Sequence, residues 1–243
     1  MRLQGLSAIV TGGASGFGAG IAEAYVREGA KVVILDLNGE GAKKVADEIG
    51  AGAIALGGDV TKKADVDASV KLAVEKFGKL DIVVNNAGWT HRNKPLLEVT
   101  EDEFDKTFAI NVKSIFLMTN ACVPVMKKQG SGRIVNISSV AGLGPTGSSI
   151  AYAVSKAGLI HLTKCMAVAL APEVLVNCVA PGLLEGTRAT ANLRPEVVET
   201  GRKASLLGVA ADKDDCADQV VTMCRTNSTT GQTLVIDSGR VFH

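Results

Sequence analysis

The sequence predicts an α/β fold: a doubly wound parallel sheet of about seven strands, with helices on both faces, in one domain. Three observations predict it. Short apolar runs alternate along the chain with longer stretches whose apolar residues recur at helical spacing. A glycine-rich turn follows the first run and opens the first helical stretch. Polar residues gather at or just past the C-terminal ends of the runs, the edge at which open α/β sheets bind ligands.

The elements follow in order. Leu6 to Val10 reads as a strand buried on both faces. Thr11-Gly12-Gly13-Ala14-Ser15-Gly16-Phe17-Gly18 comes next, and Ile21, Ala22, Tyr25 and Val26 then recur at helical spacing. A glycine turn between strand and helix lets backbone N–H groups meet a phosphate, where a Cβ would block the approach. Without a ligand the same glycines would be a flexible turn. Lys31 to Leu35 is the second strand and delivers Asp36, an acid placed to accept hydrogen bonds from a ribose diol. It would repel a 2′-phosphate, and neither Leu37 nor Asn38 supplies a cation, which favours NAD over NADP.

Gly39 to Ile49 reads as helix and Ala53 to Leu56 as strand, with Asp59 and Val60 near its end. Thr61 is placed to cap a helix running through Phe77. Leu80 to Val84 is the fourth strand and leads into Asn85-Asn86-Ala87-Gly88, which reads as a turn or as a tie between neighbouring strands. Thr100-Glu101-Asp102-Glu103 is a capping-box sequence and starts a helix that runs past Asn111, a polar residue suggesting a satisfied buried amide or a kink. Gly132 to Ile137 is the fifth strand, ending at Ser138-Ser139. A long helix begins at Tyr152, Val174 to Val179 is the sixth strand before Ala180-Pro181-Gly182, and Leu234 to Ile236 is the seventh.

Composition narrows the function. A net charge of +1 and 4% aromatic residues do not suggest nucleic-acid binding. Cys122, Cys165, Cys178, Cys216 and Cys224 are scattered and odd in number, as expected of reduced, buried thiols rather than a disulfide frame or zinc site. His91, His161 and His243 are too dispersed to suggest a metal cluster, so no metal is expected. Met1 to Gly5 lacks the features of a signal peptide, and the apolar stretch from Cys165 to Leu184 is broken by Pro172, Glu173, Asn177 and Pro181. A cytoplasmic protein without a membrane partner is expected.

The chemistry centres on Tyr152-x-x-x-Lys156. Residues four apart share a helix face, so phenol and ammonium can enter one site. A cation near a phenol favours its phenolate form, which suits Tyr152 to exchange a proton with an alcohol or ketone oxygen while a hydride moves elsewhere. Alone, the pair would better describe a tyrosine at a helix end beside a solvated lysine.

In company, these motifs resemble the short-chain dehydrogenase/reductase family. The match includes Thr11-Gly12-x-x-x-Gly16-x-Gly18, Asp59, Asn85-Asn86-Ala87-Gly88, Asn111, Ser139, Tyr152-x-x-x-Lys156, Asn177 and Pro181-Gly182, in one order across nearly the whole chain. The resemblance implies a single Rossmann-like dinucleotide-binding and catalytic domain over residues 1–243. It implies Tyr152 as the acid/base, Lys156 lowering its pKa and holding the nicotinamide ribose, and Ser139 bonding the substrate oxygen, with Ser138 as the alternative. Asn111 would hold a water linking Lys156 to solvent. NAD would lie along Gly12, Ser15, Gly16, Phe17 and Gly18, with Asp36 at the adenosine ribose and Asp59 and Val60 at adenine. Asn86, Ala87, Gly88, Pro181, Gly182 and Leu184 would border the rest. A homo-oligomer, preferentially a tetramer, is implied as well.

Three positions depart from the family pattern: Leu175 stands near where an arginine is frequent before Val-Asn, Thr187 falls one place late after Pro181-Gly182, and Ser238 replaces a frequent glycine. Residues 183–206 are expected to form a substrate lid. Its Arg188, Arg194, Arg202 and Lys203 make a solvated face or an anion site. Trp89, His91, Val140, Leu143, Pro145 and Leu183 are candidate pocket residues, and an apolar wall suits a small hydrophobic secondary alcohol or ketone, cyclic or aromatic. The alternatives are a 3-oxoacyl-carrier-protein reductase, which Asp36 disfavours because those reductases commonly use NADPH, and a non-catalytic NAD-binding relative.

Overall fold

The computed structural model describes residues 1–145, 147–185 and 195–242. Among them seven strands, β1 (Ser7–Thr11), β2 (Lys31–Asp36), β3 (Ala53–Gly57), β4 (Ile82–Asn85), β5 (Gly132–Ile137), β6 (Val174–Pro181) and β7 (Thr233–Ile236), pair in parallel. Their order is β3-β2-β1-β4-β5-β6-β7. The order reverses between β1 and β4, which opens a crevice between the two chain segments leaving their C-terminal ends.

The helices among the described residues are α1 (Gly16–Arg27), α2 (Gly39–Ile49), α3 (Lys63–Phe77), α4 (Glu101–Phe108), α5 (Ser114–Gln129), α6 (Ile150–Leu170), α7 (Pro195–Lys203) and α8 (Lys213–Met223). Strand residues alternate between two cores. Ala8, Val10, Val32 and Ile34 pack with Ile21 and Tyr25 of α1, Ala42 of α2 and Val220 of α8. Ile9, Val33, Val83 and Ile134 pack with Val70 of α3, Met118 and Met126 of α5 and Leu159 of α6. Because both faces are covered, all of β1 is buried, and its centre, Ala8-Ile9-Val10, is accordingly apolar without alternation. The run Glu101–Gln129 and helix α6 are long and apolar enough to cross a membrane by composition, but both contribute residues to the second core.

Local chemistry sets the helix ends. Asn38 caps α2 by accepting from Gly41 N, Thr100 and Glu103 form the expected capping box on α4, and Asp212 caps α8 by accepting from Asp214 N and Asp215 N. The cap expected from Thr61 is not made. Helix α3 starts after Lys62, which gives no side-chain cap, and the Thr61 hydroxyl instead donates to Asp59 Oδ1 at 2.7 Å. Helix α6 begins two residues before Tyr152, with Ser149 accepting from Tyr152 N.

The helix expected to run past Asn111 is interrupted. A π turn over Ala109–Lys113 separates α4 from α5 and carries Asn111, which is fully buried. Asn85 ties strands, as one of its two readings had it: its Nδ2 donates to Asn136 Oδ1 at 2.9 Å, and Asn136 Nδ2 donates to Thr163 Oγ1 of α6 at 3.0 Å. The five cysteines are unpaired, but Cys165 is exposed on α6 and departs from the expected burial. Ser238, where glycine is frequent, has φ of 59°, in the left-handed region that favours glycine.

Candidate active site

The loop after β1 and the end of β4 are joined into one cradle. Asn86 Nδ2 donates to the carbonyls of Thr11 and Gly12 at 2.9 and 3.1 Å, and Thr11 Oγ1 accepts from the backbone N–H of Asn86 and Ala87. Gly18 has no room for a side chain, since a Cβ there would lie 2.2 Å from Gly12 O and 2.4 Å from Asn86 Nδ2. Gly12 has φ of 68°, and its Cβ would meet Ala87 Cα at 2.8 Å. Ser15, at the N-cap of α1, makes no side-chain cap and the first turn carries no acid, so the helix N-terminus is left to an anion.

Asp36 closes the far end. Its Oδ2 accepts from Ala14 N at 3.0 Å and its Oδ1 from Asn38 N at 2.9 Å, which aims the carboxylate beside the glycine turn and leaves acceptor capacity. At the end of β3, Asp59 accepts from the backbone and hydroxyl of Thr61, and Val60 is partly buried beside it. Burial opposes ionisation of Asp59, but the Thr61 hydrogen bonds and the Lys62 and Lys106 ammoniums together hold its carboxyl below the usual range. The tight glycines, open helix N-terminus and paired acids fit a dinucleotide.

At the other end, β5 delivers adjacent serines to opposite sides. Ser138 turns inward and donates to Lys156 O at 2.8 Å. The Ser139 hydroxyl accepts from Ala141 N at 3.2 Å and acts on the Tyr152 phenol, so Ser139 is the serine that faces Tyr152. Lys156 stands with its Nζ 5.5 Å from the centre of the Tyr152 ring and donates to Ile137 O at 2.7 Å.

The expected lowering of the Tyr152 pKa by Lys156 is not the balance found. Burial raises the phenol, and Ser139 only partly opposes it. Burial also lowers Lys156 to about 8, against a smaller opposing influence from Cys178. The cation is committed to a carbonyl and is itself desolvated.

Asn111 is used completely on its donor side. Its Nδ2 donates to Trp89 O and to Ser155 Oγ, both at 2.9 Å, while Oδ1 accepts from Trp89 N at 2.8 Å. The side chain therefore braces the backbone after Gly88. Gly88 lies between this brace and Lys156, its Cβ position being 3.6 Å from both Asn111 Oδ1 and Lys156 Nζ.

The remaining predicted positions separate. Pro181 and Leu184 are buried and Gly182 is partly so, with Gly182 N donating to Ile236 O. Val140, Leu143 and Leu183 are partly exposed around the same strand ends, while Pro145 is exposed. Trp89 is half-buried, with Lys106 Nζ 4.6 Å above its ring, and His91 is buried with Nδ1 donating to Arg92 O. Thr187, Arg188 and Arg194 lie outside the described residues. Arg202 makes paired hydrogen bonds to Glu185, and Lys203 lies 3.4 Å from Glu199, so both have carboxylate partners within this segment.

Sequence reasoning missed a hydroxyl cluster at the start of α6. Thr90 Oγ1 lies 3.0 Å from Ser149 Oγ and 3.1 Å from Ser148 Oγ, and ties the segment after Gly88 to the helix bearing Tyr152. Ser148-Ser149 directly before an apolar helix was a legible N-cap signal; its pairing with Thr90 was not. Lys106 was also missed, since an exposed helical lysine carries no mark of its own.

Comparison with known proteins agrees with this geometry. The chain is 41% identical to a 4-formylbenzenesulfonate dehydrogenase of Comamonas testosteroni, with 99% of each chain covered. It is 37% identical to a 2,5-dichloro-2,5-cyclohexadiene-1,4-diol dehydrogenase of Sphingobium indicum, covering 98% of this chain and 97% of that one. A crystal structure of 3-ketoacyl-(acyl-carrier-protein) reductase from Brucella melitensis complexed with NADH superposes with a TM-score of 0.92 at 37% identity, over 98% of this chain and 99% of that one. The short chain dehydrogenase profile matches residues 7–198, and with the cradle, the serine–tyrosine pair and the buried lysine in one crevice, the chain belongs to the short chain dehydrogenase family.

Proposed function

We propose that this oxidoreductase transfers a hydride between NAD(H) and a small hydrophobic, cyclic or aromatic, secondary alcohol or ketone. The observation that carries the reading is the Ser139–Tyr152 hydroxyl pair with the Lys156 ammonium beside it, at one end of a groove whose other end is Asp36. Bound NAD supplies the hydride acceptor and NADH the donor. Gly12, Ser15, Gly16, Phe17 and Gly18 hold the phosphates, Asp36 the adenosine ribose, and Asp59 and Val60 the adenine. Ser139 positions the substrate oxygen, Tyr152 takes the hydroxyl proton in oxidation and returns it in reduction, and Lys156 provides positive charge.

The raised Tyr152 pKa gives the chemistry a direction with pH. Near neutrality the phenol holds its proton and is ready to donate it, so reduction is favoured; oxidation gains as pH rises. Ring-bearing names among the relatives support a cyclic or aromatic substrate, one being an aldehyde of benzenesulfonate and the other a cyclohexadiene diol. Exposed Phe116 on α5 and Val154 and Val168 on α6 support the homo-oligomer, which light scattering would measure.

A 3-oxoacyl-carrier-protein reductase is the second reading, favoured by the full-length match to the Brucella reductase. That reductase is complexed with NADH, the cofactor that Asp36 favours here. The test is turnover of a panel of secondary alcohols with NAD, and of a 3-oxoacyl thioester with NADH, in wild type and Tyr152→Phe. The first reading expects alcohol turnover that is lost in the variant while NAD still binds. Turnover of the thioester alone would replace it with the second, and undiminished turnover in Tyr152→Phe would refute the assigned acid/base.

A further inference from the structure

Lys106 sits where an isolated surface lysine would have no reason to be held. Its Nζ stands 4.6 Å above the ring of Trp89, and Trp89 is itself fixed, because Asn111 bonds both its N–H and its carbonyl. Lys106 also contributes, after the larger influence of Lys62, to the positive field on Asp59 at the end of β3. The Lys106 ammonium therefore stands over the segment that leaves Gly88 beside Lys156.

The glycine turn itself supplies no cation. The diphosphate of a dinucleotide carries two negative charges, and Thr11 to Gly18 contains no lysine or arginine, so the turn offers only backbone N–H groups and a helix end. The two acids at its margins, Asp36 and Asp59, add negative charge.

We propose that Lys106 is a cofactor-binding residue that forms with Trp89 a cation–aromatic plate along the α4 side of the groove and draws the dinucleotide phosphates into it. The inference rests on the dinucleotide reading of the site. The ring face holds the ammonium in place, and the stem of Lys106 shields the ring from water. Substrate selection is not its task, so Lys106 acts on cofactor affinity and leaves the proton-handling groups untouched.

Trp89 is the only tryptophan, so intrinsic emission reports on this plate. The full chain and its Lys106→Gln and Lys106→Glu variants are compared by emission without cofactor, and by calorimetry with NAD at several salt concentrations. Lys106→Gln should change Trp89 emission in the free protein, weaken NAD about fivefold and flatten the salt dependence of binding; Lys106→Glu should weaken NAD further. NAD affinity within about twofold of wild type in both variants, or an unchanged salt slope, overturns the inference and leaves the dinucleotide reading standing. Unchanged emission in Lys106→Gln likewise overturns the plate. Failure of the wild type to bind NAD overturns both.

Discussion

Replacing Asn111 with alanine tests whether its side chain is a brace. The substitution removes three hydrogen bonds, two to the Trp89 backbone and one to Ser155, from a residue with no exposed surface. Each such bond contributes about 1 kcal/mol net, and an orphaned buried backbone group costs about 1–3 kcal/mol. Trp89 is half-buried, so water can recover part of that loss, and Ser155 keeps its bond to Tyr152 O. The expected destabilisation is about 3 kcal/mol, and a chain of this size loses roughly 2–4 °C of melting temperature per kcal/mol. Thermal unfolding followed by circular dichroism should therefore fall by about 6–12 °C, with faster hydrogen exchange at the Trp89 amide. A drop below about 2 °C with unchanged exchange would mean that the segment after Gly88 holds itself, and the brace would be wrong.

Gly18→Ala would force Gly12 or Asn86 to move, and the overpacking should cost about 1–3 kcal/mol and abolish NAD binding by calorimetry. Lys156→Met should abolish turnover yet raise the melting temperature at pH 7. Burial lowers the folded Lys156 to about 8, below the ordinary lysine value, so the wild type carries its full penalty below pH 8. The penalty of about 1–3 kcal/mol, reduced by the lost Ile137 hydrogen bond, should fade as the pH rises from about 8 to 10.5, and melts at pH 7 and 10 should show the gap closing. Asp36→Ala should weaken NAD by at least about tenfold and raise the relative affinity for NADP, both measured by titration.

The sequence displays the strands because burial on both faces removes alternation and leaves continuous apolar runs; β5 has the expected ends and β6 runs two residues further. Helix α2 also has its expected bounds, and the capping box at Thr100 forms because both partners lie in one local segment. What stayed hidden depends on contacts distant in sequence or on competition. The Thr61 hydroxyl had two possible partners, and Asp59 won. The π turn leaves the apolar pattern intact, so nothing in the order of residues marks it. Helix α8 was legible in principle from Asp212 followed by Asp214 and Asp215, but its weak apolar pattern concealed it. In the site, Tyr152, Lys156 and Ser139 come together as expected, whereas the tie from Lys156 to Ile137 O requires a fold to bring β5 beneath α6.

The polar chain from the Asn85 and Asn136 amides to the Thr163 hydroxyl has a mechanical consequence. Apolar packing alone permits a helix to slide along a sheet, since one layer of methyl groups resembles the next. A slip of one turn would carry Tyr152 and Lys156 about 5.4 Å from the strand ends that meet them. Thr163 lies seven residues after Lys156 and hence near the same helical face, and its hydrogen bond to Asn136 has one setting. Any slip would strand buried polar groups. The polar chain thus acts as an indexing pin, setting the height of the reactive pair above the sheet while the segments around the pocket are free to vary in length and composition.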